Sequence, residues 1–113
     1  MARAYTVTVR AEGTPHKHRF EVLDDALAGL EREARELAAD SDHRAYGGTL
    51  IRRLDPARIV VARLELSGPR GLRAGVDVRG DGSSEAFTGR VRRRVLEQRD
   101  GESAYDALRR ELS

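Results

Sequence analysis

The sequence has no cysteine and no tryptophan, only three prolines and one lysine, Lys17. The missing cysteines exclude disulfides, thiolate zinc sites and a cysteine nucleophile. Aromatics are few: Tyr5, Phe20, Tyr46, Phe87 and Tyr105. Long apolar runs are also missing. Nothing approaches the roughly 20 apolar residues of a membrane span, and Met1 to Tyr5 opens no signal-peptide stretch. No membrane association and a cytoplasmic location are therefore expected. The phosphate-cradling patterns G-x-x-x-x-G-K and strand-to-helix G-x-G-x-x-G are absent, as is the nucleophile pattern G-x-S-x-G. No cofactor and no catalytic residue are assigned, and an enzyme is the least favoured class.

What is present is a dense and uneven set of charges. The 113 residues suit one domain, 1–113, and 35% of them are charged, with a net charge of +2. The basic side is almost entirely arginine. Together with the many Ala, Gly and Val residues, this pattern looks like GC-rich coding, so the position of each arginine says more than the count.

Period-two alternation marks strands and 3.6-period spacing marks helices. Tyr5, Val7 and Val9 alternate with Thr6, Thr8 and Arg10. After a break at Glu12-Gly13-Thr14-Pro15, the segment His18–Val22 alternates again, which predicts a hairpin. Leu27, Leu30, Ala34, Leu37 and Ala38 predict a helix from Asp24-Asp25 to about Ala39. The two aspartates are read as cap acceptor and dipole partner, Glu31 and Arg35 as an i,i+4 pair, and Gly29 as a weak point. Ser41–Arg44 reads as loop, and Thr49–Leu54 as a short strand or one helical turn. Three strands follow. Val60, Ala62, Leu64 and Leu66 are expected to face inward on the first, and Leu72, Ala74, Val76 and Val78 on the second. On the third the inward residues are expected to be Phe87, Val91 and Val95. Ser103-Ala104-Tyr105-Asp106 has the form of a capping box, with Asp in place of Glu, ahead of a last helix striped by Tyr105, Leu108 and Leu112.

The order β-β-α-β-β-β-α, with one apolar side per strand, predicts an α+β fold in two layers. A mostly antiparallel sheet of about five strands would be covered on one face by two helices.

Two clusters have the look of metal sites. His16 and His18, with His43, offer at most three ligands. Asp77 to Glu85 has calcium-loop spacing at its first and fifth positions and at its glycine, but Arg79 stands at the third and Thr88 where a bidentate Glu is needed. Solvated turns account for both, so no metal is assigned.

The charge layout carries the functional expectation. From Asp24 to Asp42 seven carboxylates face two arginines, a local charge of −5, which leaves +7 on the rest of the chain. On the outward faces of the last three strands stand Arg63, Arg73, Arg79, Arg90, Arg92 and Arg94, opposed only by Glu65 and Asp77. These six arginines are the candidate partner-binding residues. The segment from Asp24 to Leu112 has the α-β-β-β-α order of double-stranded-RNA-binding domains. It lacks their basic start to the last helix, where Gly101-Glu102-Ser103-Ala104 is acidic. Single-strand readers want aromatics on the open face. A non-catalytic interaction protein is therefore the expected function, binding a protein partner or a second copy of itself through the acidic helix and basic sheet. Binding of an RNA or DNA backbone by the arginines is the second reading.

Overall fold

The computed structural model describes residues 4–11, 13–43, 59–89 and 92–112, with backbone alone at 41–43. The hairpin forms as β1 (Tyr5–Arg10) and β2 (His16–Phe20), and α1 (Leu23–His43) follows. Next come β3 (Val60–Gly68), β4 (Leu72–Arg79), β5 (Ser84–Thr88), the two-residue β6 (Arg94–Val95) and α2 (Ala104–Leu112). The six strands make one antiparallel sheet in the order β2-β1-β3-β4-β5-β6. The α+β class and the element order match the expectation, with β6 as an added short strand. The short element read at Thr49–Leu54 lies outside the described residues.

One continuous core joins the sheet to the two helices. Val7 and Val9 of β1, Ala62, Leu64 and Leu66 of β3, and Ala74, Val76 and Val78 of β4 are buried with Ala26, Leu27, Leu30 and Ala34 of α1. At the other end Ala86 of β5 meets Ala104, Tyr105, Ala107 and Leu108 of α2. Leaving any of these large side chains in water would cost about 1.5–3 kcal/mol, so the 2.0 and 3.6 periods set the pairing of layers.

α1 begins at Leu23 and its backbone stays helical to His43, four residues past the expected end, so Ser41-Asp42-His43 is helix and not loop. The Val22 carbonyl accepts from the Ala26 amide at 3.1 Å, which places Asp24 and Asp25 in the first turn. There they act as charges at the positive helix end. Gly29 has a packing reason: a Cβ there would stand 2.6 Å from the tip of the Phe20 ring, so the glycine lets β2 close onto the helix.

The capping box of α2 is made as read. The Asp106 amide donates to Ser103 Oγ at 3.1 Å, and the Ser103 amide to Asp106 Oδ2 at 3.0 Å. These bonds lower the Asp106 pKa. Ahead of the cap, Glu102 accepts from Arg110 Nε at 2.9 Å and from the Arg99 amide at 2.8 Å. The Arg110 guanidinium, then the Arg99 amide, bring the Glu102 carboxyl down to about 2. Glu31 ties the helices together, meeting Arg35 at 2.7 Å and Arg109 at 2.6 Å. Burial alone would raise its pKa, but the two arginines hold it below the ordinary value.

Three apolar facings differ from the sequence reading, at Val60, at Phe87 and at Val95, which is exposed and pairs with Phe87, while Val91 lies outside the described residues. Val60 is exposed because the β3–β4 register shifts between Val60 and Ala62, which turns it out of the core. On β5 the inward residue is Ala86, and Phe87 lies on the opposite side of the sheet, paired with Gly75. The core side beside β5 is occupied by α2, whose Tyr105 hydroxyl meets Ser84 Oγ at 3.0 Å. Small residues, Ser84 and Ala86, are what fit beneath it. The strand also ends sooner than read. Gly89, at φ +95, reverses the chain, and β6 returns antiparallel to β5.

Candidate interaction face

Cross-strand partners in a sheet share a face, so the register lays out the side away from the helices row by row. One row runs Arg10, Arg63, Asp77, Glu85 across β1, β3, β4 and β5. The next runs Lys17, Thr8, Glu65, Gly75, Phe87, Val95 from edge to edge. The third runs Arg19, Thr6, Ser67, Arg73 from β2 to β4.

The first row is knitted together. Arg63 grips Asp77 with two bonds, at 2.6 and 3.1 Å, and this pairing raises the Arg63 pKa. Arg79 donates to Glu85 at 2.7 Å, and Arg10 to Glu65 at 2.6 Å. Phe87 is 4% exposed although it lies on this open face. The Arg93 guanidinium lies 4.7 Å and that of Arg63 5.8 Å from its ring centre, and Gly75 lies beneath it. A Cβ at Gly75 would come within 2.7 Å of that ring and 2.3 Å of the Leu64 carbonyl oxygen. The ring is packing and offers no open stacking surface.

The third row has no carboxylate. It sets an arginine at each end and the hydroxyls of Thr6 and Ser67 between them, with Lys17 and Thr8 alongside. Arg73 and Lys17 are exposed and form no ion pair with a described residue. Between the two zones lies a shallow basin of about 270 Å³ lined by Thr8, Arg10, Lys17, Ser67, Arg73 and Arg93, among others. Glu65 also borders it, engaged by Arg10 and lying 4.0 Å from Arg93.

Of the six expected arginines, Arg63, Arg73 and Arg79 share the open face. Arg94 does not. It pairs with Thr88, whose other partner is the buried Ala74, and its guanidinium meets Glu111 of α2 on the helix side. Arg92 is exposed just before β6, and Arg90 lies outside the described residues. The sequence reading left out Arg10, Lys17, Arg19 and Arg93. The first three were legible, since they alternate with Val9, His18 and Phe20 in the opening hairpin. Arg93 lies in no regular element, and nothing in the sequence announced it. The face also holds a third carboxylate, Glu85, so it is a patterned surface and not a uniform arginine field.

The metal-like clusters have local uses. Asp77 is held by Arg63, and Asp81 Oδ1 accepts from the Ser83 amide at 2.9 Å and the Ser83 hydroxyl at 2.5 Å. His18 Nε2 lies 3.2 Å from Glu33 of α1. Among the described residues no three His, Asp or Glu side chains gather as a metal centre would need, and no helix is long and apolar enough to cross a membrane. Compared with known protein families, curated proteins and solved structures, the chain finds no match.

Proposed function

We propose that the protein is a non-catalytic interaction module that docks an acidic segment of a partner protein on the carboxylate-free zone of its open sheet face. The observation that carries this reading is the row Arg19, Thr6, Ser67, Arg73 with Lys17 and Thr8 beside it. It combines cations and hydroxyl donors, and the one acid that borders it among the described residues, Glu65, is held by Arg10. Guanidinium forks suit carboxylate geometry, and Arg73 and Lys17 are exposed and form no ion pair with a described residue.

The extent of the zone favours a short acidic peptide over a nucleic-acid backbone. From β2 to β4 it spans three strand spacings, roughly 14 Å. Beyond it stand Glu65, Asp77 and Glu85, which a continuing phosphate chain would have to pass. Phe87 is buried beneath arginines and gives a base nothing to stack on. The acidic α1 is also less available to a second copy than its composition suggests, because Glu31 and Glu33 are engaged within the chain by Arg35, Arg109 and His18.

Fluorescence anisotropy against an octaglutamate peptide and against generic RNA and DNA oligomers separates these readings. The expected result is peptide binding that weakens gently with salt and is not displaced by the oligomers. Tight oligomer binding that collapses steeply with salt and competes off the peptide would replace this reading with phosphate-backbone recognition.

A further inference from the structure

We infer that the basin on the open face takes a phosphorylated serine or threonine carried by the partner's acidic segment. This rests on the acidic-partner reading above and names the group that the zone selects. The basin, about 270 Å³, is lined by described residues throughout. Arg10, Lys17, Arg73 and Arg93 line it against a single carboxylate, Glu65, which leaves a local charge of +3. One carboxylate of a partner brings a single negative charge and leaves most of that field unmet. A phosphorylated side chain brings about −1.5 to −2 at neutral pH.

The register shows where the donors come from. Thr8 pairs with Glu65 and Thr6 with Ser67, so the hydroxyl-bearing residues Thr8 and Ser67 are diagonal neighbours on β1 and β3. Lys17 borders the basin from β2, beyond Thr8, and Arg73 from β4, beyond Ser67. Both cations are exposed and form no ion pair with a described residue. Arg10 and Arg93 stand on the remaining side. Arg10 donates its Nε to Glu65 at 2.6 Å, which leaves its terminal nitrogens as donors. Arg93, 4.7 Å from the centre of the Phe87 ring, lies 4.0 Å from the same carboxylate.

Shape separates the candidate anions as well as charge. A carboxylate has two oxygens in one plane, and one guanidinium fork satisfies it, as Arg63 does for Asp77. A phosphoryl group has three acceptor oxygens and takes bonds from several directions at once. An ammonium on one side, guanidiniums on others and two hydroxyls between them form a donor set for that tripod. A nucleic-acid backbone is the poorer match, because each of its phosphates is a diester with one charge. Docking is thereby regulated from the partner's side: adding the phosphoryl group tightens it.

Three nine-residue peptides test the site, each with four Glu on either side of a central phosphoserine, Glu or Ser, titrated calorimetrically into the protein. The phosphoserine peptide is expected to bind at least about fivefold tighter than the Glu peptide, because it alone carries the extra charge and the third oxygen. In Thr8→Val with Ser67→Ala that preference should shrink by at least about half while the Glu peptide binds as before. A smaller preference in the unaltered protein, or one that survives loss of the hydroxyls in full, would overturn the phosphoryl site while acidic-partner binding stands. Failure of all three peptides to bind would remove the acidic-partner reading itself. Inorganic phosphate that displaces the phosphoserine peptide at equal concentration would assign the basin to a free anion instead. Displacement by phosphoinositide vesicles would assign it to a membrane surface.

Discussion

The two zones of the open sheet face use the same residue type in opposite ways. In one, Arg63, Arg79 and Arg10 are spent on Asp77, Glu85 and Glu65, and Arg93 caps Phe87. In the other, Arg73 stands exposed beside Ser67 in a row with no carboxylate, and Lys17 is exposed beside Thr8 in a row whose one acid, Glu65, is held by Arg10. A guanidinium closing a ladder within its own sheet contributes to the fold. One left facing water contributes nothing to stability and is available to a partner. The count of arginines on a sheet therefore says little until the acids in each row are placed.

This contrast can be broken by mutation. The largest effect is expected at Phe87, which is buried between Arg93 and Gly75 on the knitted side. Phe87→Ala should lower unfolding free energy by about 3 kcal/mol, read from urea melts. Gly75→Ala should cost about 1–3 kcal/mol, because the new methyl meets a carbonyl oxygen as well as the ring. Arg63→Ala should cost about 2 kcal/mol by leaving the half-buried Asp77 unpaired. Arg73→Ala on the other zone should change stability by less than about 0.5 kcal/mol. A similar loss at Arg73 and Arg63 would erase the distinction between the zones.

The fold was more legible than the face. Periodicity exposed β1 to β4 and both helices, because burial of apolar area acts on every second or every third-to-fourth residue, whereas β5 and the two-residue β6 were read as one strand. The capping box at Ser103 was readable for the same reason: its bonds are local. Facing failed where long-range packing decided it. Phe87 is the largest apolar residue of its strand, and size alone sends it inward. The bulk of Tyr105 above Ser84 and the gap over Gly75 send it outward. Arg94 was misplaced for the same reason: Thr88 and Arg94, both read as outward, pair with each other on the helix side, so the alternation is inverted as a whole. Pairing between Arg63 and Asp77 or Arg79 and Glu85 depends on register, which alternation alone does not supply.

Acid offers a smaller, graded probe of the fold away from the face. The Glu102 carboxyl is lowered from an ordinary 4.5 to about 2, so its contribution is complete above the ordinary value and is lost as pH falls through the folded one. Melting temperature should therefore drop between about pH 4.5 and pH 2, and Glu102→Gln should flatten that part of the profile. An unchanged profile in the variant would show that the Arg110 contact contributes little to α2.

The central claim is tested most directly by calorimetric titration of octaglutamate into two double variants of equal charge. Lys17→Ala with Arg73→Ala removes two cations from the carboxylate-free zone, and Arg63→Ala with Arg79→Ala removes two from the knitted zone. The first is predicted to lose at least about tenfold in affinity, or about 1.4 kcal/mol, with its melting temperature kept. The second is predicted to bind within about threefold of the parent while melting lower. Equal losses of affinity in both would mean that overall charge attracts the acidic segment and that the row pattern does not.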